Sequence, residues 1–165
     1  MNSVLKAWET GIVRRWHTNT HLCDTVDYVC GHTGRMATMA VYLGWGSLAL
    51  LEAIATHDKG EKFVGDFSYT FKRSYPQVAA TIDSIETKET LETGFPTTYL
   101  TKDEVCRLKL LGSLDAVFWM RMHRPDLEER SDWKELVSDT SIGFLGTGVD
   151  DPLENSSLDY DVKES

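Results

Sequence analysis

Four ionisable side chains lie in or beside apolar segments of the sequence, where an unpaired charge is costly. His57 and Asp58 follow the apolar run SLALLEAIAT, His32 lies within YVCGHTGRMA, and Asp115 lies within LLGSLDAVFWM. A buried carboxylate is stable when it is paired or when it binds an ion. Two imidazoles and two carboxylates on three helices would form a mixed nitrogen and oxygen site, which suits Zn, Co, Mn or Fe better than Ca²⁺. The sequence therefore predicts a transition-metal site between helices.

The same residues also have structural explanations. Asp115 could pair with Arg107 or Arg121 on its own helix. His32 could bond a backbone carbonyl, and the His-Asp dipeptide at 57–58 could be a pair at a helix end. Spacing along the chain does not decide between these alternatives and a shared ion.

Helical periodicity predicts the elements that would carry these residues. The predicted helices cover 3–13, 24–42, 47–57, 76–91 and 101–123, with a short helix within 125–140. Thr101 and Glu104 have the spacing of a capping box, and Pro76 stands at a favoured first position. Few segments alternate as strands do. We therefore expect an all-α domain, a bundle of helices joined by modest loops.

Length and charge set the domain limits. A chain of 165 residues with 41% hydrophobic residues fits one domain with a real core. The segment 150–165 contains six acids and one lysine, which accounts for −5 of the net charge of −9. We predict a folded domain over residues 1–149 and an acidic flexible tail over 150–165, with a docked terminal segment as the alternative.

Composition also excludes several classes of protein. A net charge of −9 argues against nucleic acid as a partner. No run of about 18 apolar residues could span a bilayer, and the N-terminal segment lacks the order of a secretory signal. Three cysteines without CxxC spacing indicate neither a disulfide framework nor a thiolate zinc site. We expect a soluble, cytoplasmic protein that binds neither membranes nor nucleic acid.

The order of the four candidate ligands resembles a known family. His32, then His57-Asp58, then Asp115 is similar to the H…HD…D signature of the HD-domain phosphohydrolases, which are all-α enzymes. A longer pattern resembles the bacterial 5'-deoxynucleotidase branch of that family and its small phage relatives, the dATP triphosphohydrolases. The pattern consists of Arg15-Trp16, then His57-Asp58-x-x-Glu61-x-x-x-Gly65-Asp66, then Lys72. The likeness covers residues 15–124 and implies an HD-domain helical bundle over 1–149.

The resemblance implies a metal centre and a chemical step. His32, His57, Asp58 and Asp115 would hold a divalent Zn, Co or Mn ion. Such an ion lowers the pKa of a bound water, which would attack the α-phosphorus. Glu61 would orient that water or handle its proton. A Mg²⁺ ion would accompany a triphosphate, with Glu61 as its expected contact.

The resemblance also implies how a deoxynucleotide would be bound. Arg15 and Lys72 would neutralise phosphate oxygens. Asp66 would accept a hydrogen bond from the sugar 3'-hydroxyl, and Gly65 would let the chain turn there. Trp16 would lie against the sugar and leave no room for a 2'-hydroxyl, which selects deoxynucleotides.

The implied activity is that of a deoxynucleoside triphosphate triphosphohydrolase, with dATP as the first substrate to test. A deoxynucleoside 5'-monophosphatase with the same site is the alternative, and a non-catalytic nucleotide-binding helical module is the alternative of another class. A triphosphate substrate needs positive charge beyond the α-phosphate, and this requirement distinguishes a triphosphohydrolase from a monophosphatase. Five cations could supply that charge: Arg35, Lys59, Lys62, Lys72 and Arg73. The family further implies a homo-oligomer, a dimer or hexamer, acting in the cytoplasm, or in the host cytoplasm if the gene belongs to a phage.

Two departures from the family pattern bear on the site. Family members commonly carry an acid directly before the first metal histidine, whereas this chain has Gly31. This leaves the support of the His32 ring unexplained. The usual proline-containing run after the Gly-Asp pair is replaced by FSYTFK, residues 67–72. The base preference of the family therefore cannot be carried over to this chain.

Overall fold

The computed structural model describes residues 3–67, 69–92 and 99–154. Its α-helices are α1 (Ser3–Thr10), α2 (Val29–Tyr42), α3 (Leu48–Thr56), α4 (Glu61–Val64), α5 (Tyr69–Ser74), α6 (Pro76–Glu92), α7 (Lys102–His123) and α8 (Ser131–Phe144), with a 3-10 helix at Pro125–Glu129. The described residues contain no β-strand beyond an isolated bridge between Arg14 and Tyr28. The all-α prediction is confirmed. None of the described helices combines the length and apolar character needed to cross a bilayer.

Several helix starts follow from local sequence. The capping box at α7 is confirmed: the backbone N–H of Glu104 donates to Thr101 Oγ1 at 3.2 Å, and that of Thr101 donates to Glu104 Oε2 at 2.9 Å. Ser47 caps α3 by accepting a hydrogen bond from the Leu50 N–H. α6 begins at Pro76, as predicted. Side-chain and backbone caps of this kind satisfy donors that a helix leaves unpaired at its first turn.

The boundaries of the first two helices differ from the prediction. α2 begins at Val29 instead of residue 24, because Tyr28 is extended and Asp27 accepts a hydrogen bond from the Tyr28 N–H at 2.9 Å. α1 ends at Thr10 instead of residue 13. The segment 11–28 is therefore a long connection, and Arg15 lies within it and not at a helix end.

The core forms around α7, which packs against α2, α3 and α8. Met36 of α2, Leu50 of α3, Leu111 and Leu114 of α7, and Phe144 of α8 are almost completely buried. Each such side chain contributes about 1.5 to 3 kcal/mol relative to an exposed one. This packing fixes the helices that carry the candidate ligands.

The C-terminal part of the described chain is docked on the core. The short helix predicted within 125–140 is divided into the 3-10 helix and α8, and α8 continues to Phe144. Leu153 is 7% exposed and belongs to the core, and its carbonyl accepts a hydrogen bond from Arg121 Nη1. Among residues 150–154, Leu153 is thus the residue that packs on the core. The rest of the predicted tail, 155–165, lies outside the described residues, and the limit of the domain at 149 stays a prediction.

Candidate metal centre and cavity

Three of the four predicted metal ligands lie together. His57 and Asp58 follow the last turn of α3, and His32 lies in the first turn of α2. Asp58 Oδ1 is 3.0 Å from His57 Nε2, and Asp58 Oδ2 is 3.5 Å from His32 Nε2. One ligand atom from each residue lies within 4.8 Å of the other two. Since bonds of about 2.1 Å hold ligand atoms at most about 4.2 Å apart, small side-chain shifts would suit the group to one ion.

Both imidazoles are oriented by bonds on the far side of the ring. His57 Nδ1 lies 2.9 Å from the carbonyl oxygen of Ile54, and His32 Nδ1 lies 2.7 Å from Asp115 Oδ2. In the neutral form of each ring, Nδ1 donates to these acceptors and Nε2 keeps a lone pair that faces Asp58. Ligating histidines are commonly supported in this way by a carboxylate or a backbone carbonyl. The three side chains could therefore hold a metal ion.

Asp115 lies behind His32, and the structure does not bring it into the three-residue group. Its oxygens accept hydrogen bonds from Arg35 Nε at 2.6 Å and Arg15 Nη1 at 3.0 Å, so its cationic partners are not Arg107 or Arg121. Burial alone would raise the pKa of Asp115, but the bonds from His32 and Arg35 hold that pKa well below its usual range. Its role as a direct metal ligand stays a prediction from the resemblance.

The protonation states of the group suit a cation. Burial lowers the pKa of His32, which keeps that ring neutral near pH 7. Burial by itself would raise the pKa of Asp58, but the neighbouring charge and the hydrogen bond of His57 lower that pKa below its ordinary value. Burial by itself would lower the pKa of His57, but the charge of Asp58 outweighs the effect of burial and raises that pKa. Protons therefore compete with a metal at His57 first, because ligands must be deprotonated to bind.

Glu61 is the first residue of α4, a separate short helix that begins after the end of α3 at Thr56. Its Oε2 atom is buried and has no hydrogen-bond partner within the described part of the chain. Burial, followed by the negative charges of Asp58 and Asp66, raises the pKa of Glu61 to about 10. The carboxyl group of Glu61 therefore carries a proton at neutral pH in the metal-free protein.

A cavity of about 580 Å³ adjoins the group formed by His32, His57 and Asp58, and the size of the cavity is typical of small-molecule sites. Five of the predicted site residues line it: Arg15, Trp16, His32, Asp66 and Lys72. Of the three residues that could hold a metal ion, His32 is the one that also lines the cavity. The lining does not include the other three predicted metal ligands or Glu61.

Sequence reasoning missed one wall of the cavity. Lys109, Gly112, Ser113 and Ala116 of α7 line it, together with Asp132, Trp133 and Asp139 of α8. The signal lay in α7, where polar or small residues recur every three or four positions inside an apolar helix. The segment 67–72 is the one that differs from the family pattern. Its first residue, Phe67, lines the cavity and stacks on Phe71 with ring centroids 5.0 Å apart.

The loop that carries Trp16 is held by the Gly65-Asp66 turn. The Trp16 N–H donates to Asp66 Oδ2 at 2.9 Å, and Thr18 Oγ1 donates to the Asp66 carbonyl. Trp16 has φ of 64°, which is uncommon for a bulky residue, and the residue as a whole is 8% exposed. Gly65 has φ of 81°, as expected of a residue that lets the chain turn. Asp66, the predicted sugar contact, thus also fixes the backbone of the predicted sugar-facing tryptophan.

The fold and these contacts define an all-α protein with a candidate metal centre beside a small-molecule cavity. Comparison of the chain with protein-family models, with curated proteins and with solved structures gave no match. The likeness to HD-domain phosphohydrolases therefore depends on the residue pattern given above. Membership of that family stays a prediction.

Proposed function

We propose that the protein is a metal-dependent deoxynucleoside triphosphate triphosphohydrolase of the HD-domain type. Water would add to the α-phosphorus, and the bond from that phosphorus to the sugar 5'-oxygen would break. The products would be a deoxynucleoside, which gains a proton on the 5'-oxygen, and tripolyphosphate. We name dATP as the first substrate to test.

The observation that carries the proposal is the position of His32. Its Nε2 belongs to a group of two imidazoles and one carboxylate whose ligand atoms lie within 4.8 Å of one another. The same residue lines a cavity that also contains Arg15, Trp16, Asp66 and Lys72. A divalent ion at this group would supply Lewis acidity and an acidified water to a phosphate ester in the cavity.

The cations on the cavity wall are the proposed phosphate contacts. Arg15 presents a planar fork of donors, which matches pairs of phosphate oxygens. Lys72 lies 3.5 Å from Glu86 and 3.6 Å from Asp83, which keep its ammonium group beside the cavity. Both contacts would neutralise the phosphate oxygens that face away from the metal group.

Two acids have proposed roles near the reacting atoms. Glu61, three residues after Asp58, would orient the attacking water or handle its proton. Asp66 Oδ2 holds the Trp16 backbone, which would place the indole against the sugar and exclude a 2'-hydroxyl. Asp66 would accept a hydrogen bond from the 3'-hydroxyl.

One observation favours the 5'-deoxynucleotidase alternative. Several cations that could have faced β- and γ-phosphates are bound to acids instead: Arg35 to Asp27 and Asp115, Lys62 to Glu9, and Arg73 to Glu135. Lys109 adds a cation to the cavity wall, but Asp132 and Asp139 offset it. A monophosphate needs less positive charge than a triphosphate, so it must be tested in parallel.

The test is a substrate panel that identifies the phosphate product. The purified protein is incubated with Mn²⁺, Co²⁺ or Zn²⁺, each with and without Mg²⁺, and with deoxy- and ribonucleoside mono- and triphosphates. Tripolyphosphate released from a deoxynucleoside triphosphate supports the proposal. Inorganic phosphate released from deoxynucleoside monophosphates alone moves the function to the nucleotidase alternative.

A matched pair of variants separates catalysis from binding. Asp58→Asn removes the carboxylate between the two histidines, whereas Asp126→Asn makes the same change at an exposed residue of the 3-10 helix. We expect Asp58→Asn to abolish turnover and Asp126→Asn to retain it. If no metal gives turnover, and Asp58→Asn leaves nucleotide binding unchanged, the protein is a non-catalytic nucleotide-binding module and the enzyme proposal fails.

The setting of this activity is part of the proposal. A deoxynucleotide hydrolase would meet its substrates in the cytoplasm, or in the host cytoplasm if a phage encodes it. We further propose a homo-oligomer, a dimer or hexamer, which sedimentation of the purified protein would test.

A further inference from the structure

Two acids and two arginines form a closed ion-pair cluster beside the metal group. Asp27 accepts hydrogen bonds from Arg15 Nη1 at 3.1 Å and from Arg35 Nη2 at 2.8 Å. Asp115 accepts from the same two guanidinium groups and from His32. The side chains of Asp27 and Asp115 are both 2% exposed. Their two negative charges balance the two guanidinium charges, which makes burial of the cluster tolerable.

Arg15 divides its donors between this cluster and the cavity. Its Nη1 group donates to both Asp27 and Asp115, which uses both of its hydrogens. The hydrogens on Nε and Nη2 have no hydrogen-bond partner within the described part of the chain. The guanidinium lies 4.8 Å from the centre of the Trp16 ring and lines the cavity. Asp27 thus holds one side of the fork while the other side remains available to a ligand.

The backbone of Asp27 strengthens this arrangement. The Arg15 N–H donates to the Asp27 carbonyl at 3.0 Å, next to the bridge between Arg14 and Tyr28. Asp27 therefore fixes both ends of Arg15, its peptide through a carbonyl and its guanidinium through a carboxylate. No other residue described here bonds Arg15 at both places.

The space beside Asp27 explains the glycine before His32. A Cβ atom at Gly31 would lie 3.1 Å from Asp27 Oδ1 and 3.1 Å from Arg35 Nη1. A side chain at position 31 would thus extend into the place that the Asp27 carboxylate occupies. A carboxylate can reach these arginines from position 27 or from position 31, but the two would collide and repel each other.

We propose that Asp27 is a positioning residue that fixes the Arg15 guanidinium at the cavity wall and thereby sets the affinity of the site for phosphate. By the resemblance, it would take the part of the acid that family members commonly carry directly before the first metal histidine. This inference rests on the proposed function, because it takes the cavity to be the site of a phosphate-bearing substrate. Asp27 makes no contact with His32, His57 or Asp58 in the structure, so its direct effect should be on phosphate binding.

The first experiment measures binding of inorganic tripolyphosphate and of deoxyadenosine by titration calorimetry in EDTA, where the phosphate chelates no metal. Removal of a buried negative charge would by itself strengthen anion binding. Loss of the position of Arg15 would weaken it, by about 10-fold or more for a charge-assisted hydrogen bond. We expect Asp27→Asn to weaken tripolyphosphate binding by that factor and to change deoxyadenosine binding by less than about 2-fold. Asp24→Asn, at an exposed acid of the same loop, is the matched control.

The second experiment exploits position 31. Asp27→Ala removes the oxygen that a Cβ at position 31 would meet, so Gly31→Asp has room in that background and not in the wild-type protein. We expect Gly31→Asp alone to weaken tripolyphosphate binding, and the Asp27→Ala/Gly31→Asp double variant to bind more tightly than either single variant. An acid in the first turn of α2 also favours the helix dipole, which supports folding of the double variant.

The outcomes separate this inference from the proposed function. Equal or tighter tripolyphosphate binding by Asp27→Asn overturns the positioning role, as does a wild-type protein that binds no tripolyphosphate. If the wild-type protein turns over a nucleotide, Asp27→Asn should raise KM by about 10-fold and change kcat by less than about 3-fold. If nothing is turned over, the proposed function fails while the titrations still test Asp27. Should the single Asp27 variants not fold, a folded double variant that binds tripolyphosphate supports the inference, and one that does not bind contradicts it.

Discussion

Replacement of Glu61 by glutamine should stabilise the metal-free protein, and more so as the pH rises. The Oε2 atom of Glu61 is buried without a partner in the described residues, and the pKa of this carboxyl is raised to about 10. In the unfolded chain the same group ionises near its ordinary value of 4.5. Between these values the folded protein keeps a proton that the unfolded chain has lost. Stability contributed by the protonated group is complete below pH 4.5 and is lost as the pH rises towards 10.

The size of the effect follows from the proton balance. One bound proton more in the folded state lowers the free energy of unfolding by about 1.4 kcal/mol for each pH unit. From pH 5.5 to 7.5 the loss is at most about 3 kcal/mol. Because Glu61 is only partly buried, solvent screening makes the loss smaller than this maximum. Glutamine keeps the size of the side chain and cannot ionise. The variant therefore lacks this loss, whereas the titration of His57 and of other groups is common to both proteins.

The measurement is urea unfolding in EDTA at pH 5.5, 6.5 and 7.5, with the wild-type protein, Glu61→Gln and a control variant. Glu52→Gln is a suitable control, since it makes the same chemical change on the exposed face of α3 and should alter stability by less than about 0.5 kcal/mol. Equal m-values would show that the same surface unfolds in all three proteins.

The expected result is a gap between Glu61→Gln and the wild-type protein that widens with pH, beside a constant gap for Glu52→Gln. Parallel curves for all three proteins would show that Glu61 is ionised in the folded state at these pH values. The protonated state inferred for Glu61 in the metal-free protein would then be wrong.

The other predictions concern Trp16, Gly65 and the candidate metal ligand His57. Trp16→Ala should admit ribonucleotides to the cavity, and unchanged discrimination between dATP and ATP in binding or turnover would refute the role of the indole. Gly65→Ala should lower stability by about 1 to 3 kcal/mol, because φ of 81° and a His17 Nε2 atom 3.1 Å from the new Cβ both oppose it; an unchanged melting temperature would contradict this. The raised pKa of His57 should make Zn²⁺ affinity fall up to about tenfold for each pH unit below that pKa, and an affinity independent of pH from 5 to 7 would exclude His57 as a ligand.

Helices with strong local signals could be predicted from the sequence. The capping box at Thr101 and the proline at 76 each mark a helix start, and the structure places starts there. The start of α2 could not be predicted, because Asp27 is removed from a helical pattern by partners far along the chain. Its carboxylate binds Arg15, twelve residues earlier, and Arg35, eight residues later. Periodicity reports on neighbours three or four residues apart and contains no information on such pairs.

The sequence could predict which residues belong to the candidate site, but it could not predict which hydrogen-bond partners those residues have. Buried polar residues in apolar segments identified His32 and Asp115, because such side chains must find partners. Which partners they find depends on how α2 and α7 pack, and the structure pairs Asp115 with His32, Arg15 and Arg35. The same limit applies to the wall formed by α7 and α8. Ser113 and Trp133 meet at the cavity only because the two helices lie side by side.

Asp115 joins the two halves of the site into one electrostatic unit. Through Oδ2 it accepts a hydrogen bond from His32, whose other ring nitrogen faces Asp58, and from Arg15, which lines the cavity. A cation bound at the histidines would draw electron density from the His32 ring and strengthen its bond to Asp115. Asp115 would then accept less strongly from Arg15, and more of the guanidinium charge would face a phosphate. Because such coupling is reciprocal, phosphate in the cavity should raise metal affinity by the same factor by which metal raises phosphate affinity. The buried carboxylate that first marked this helix as unusual is therefore the contact through which metal and phosphate binding would influence each other.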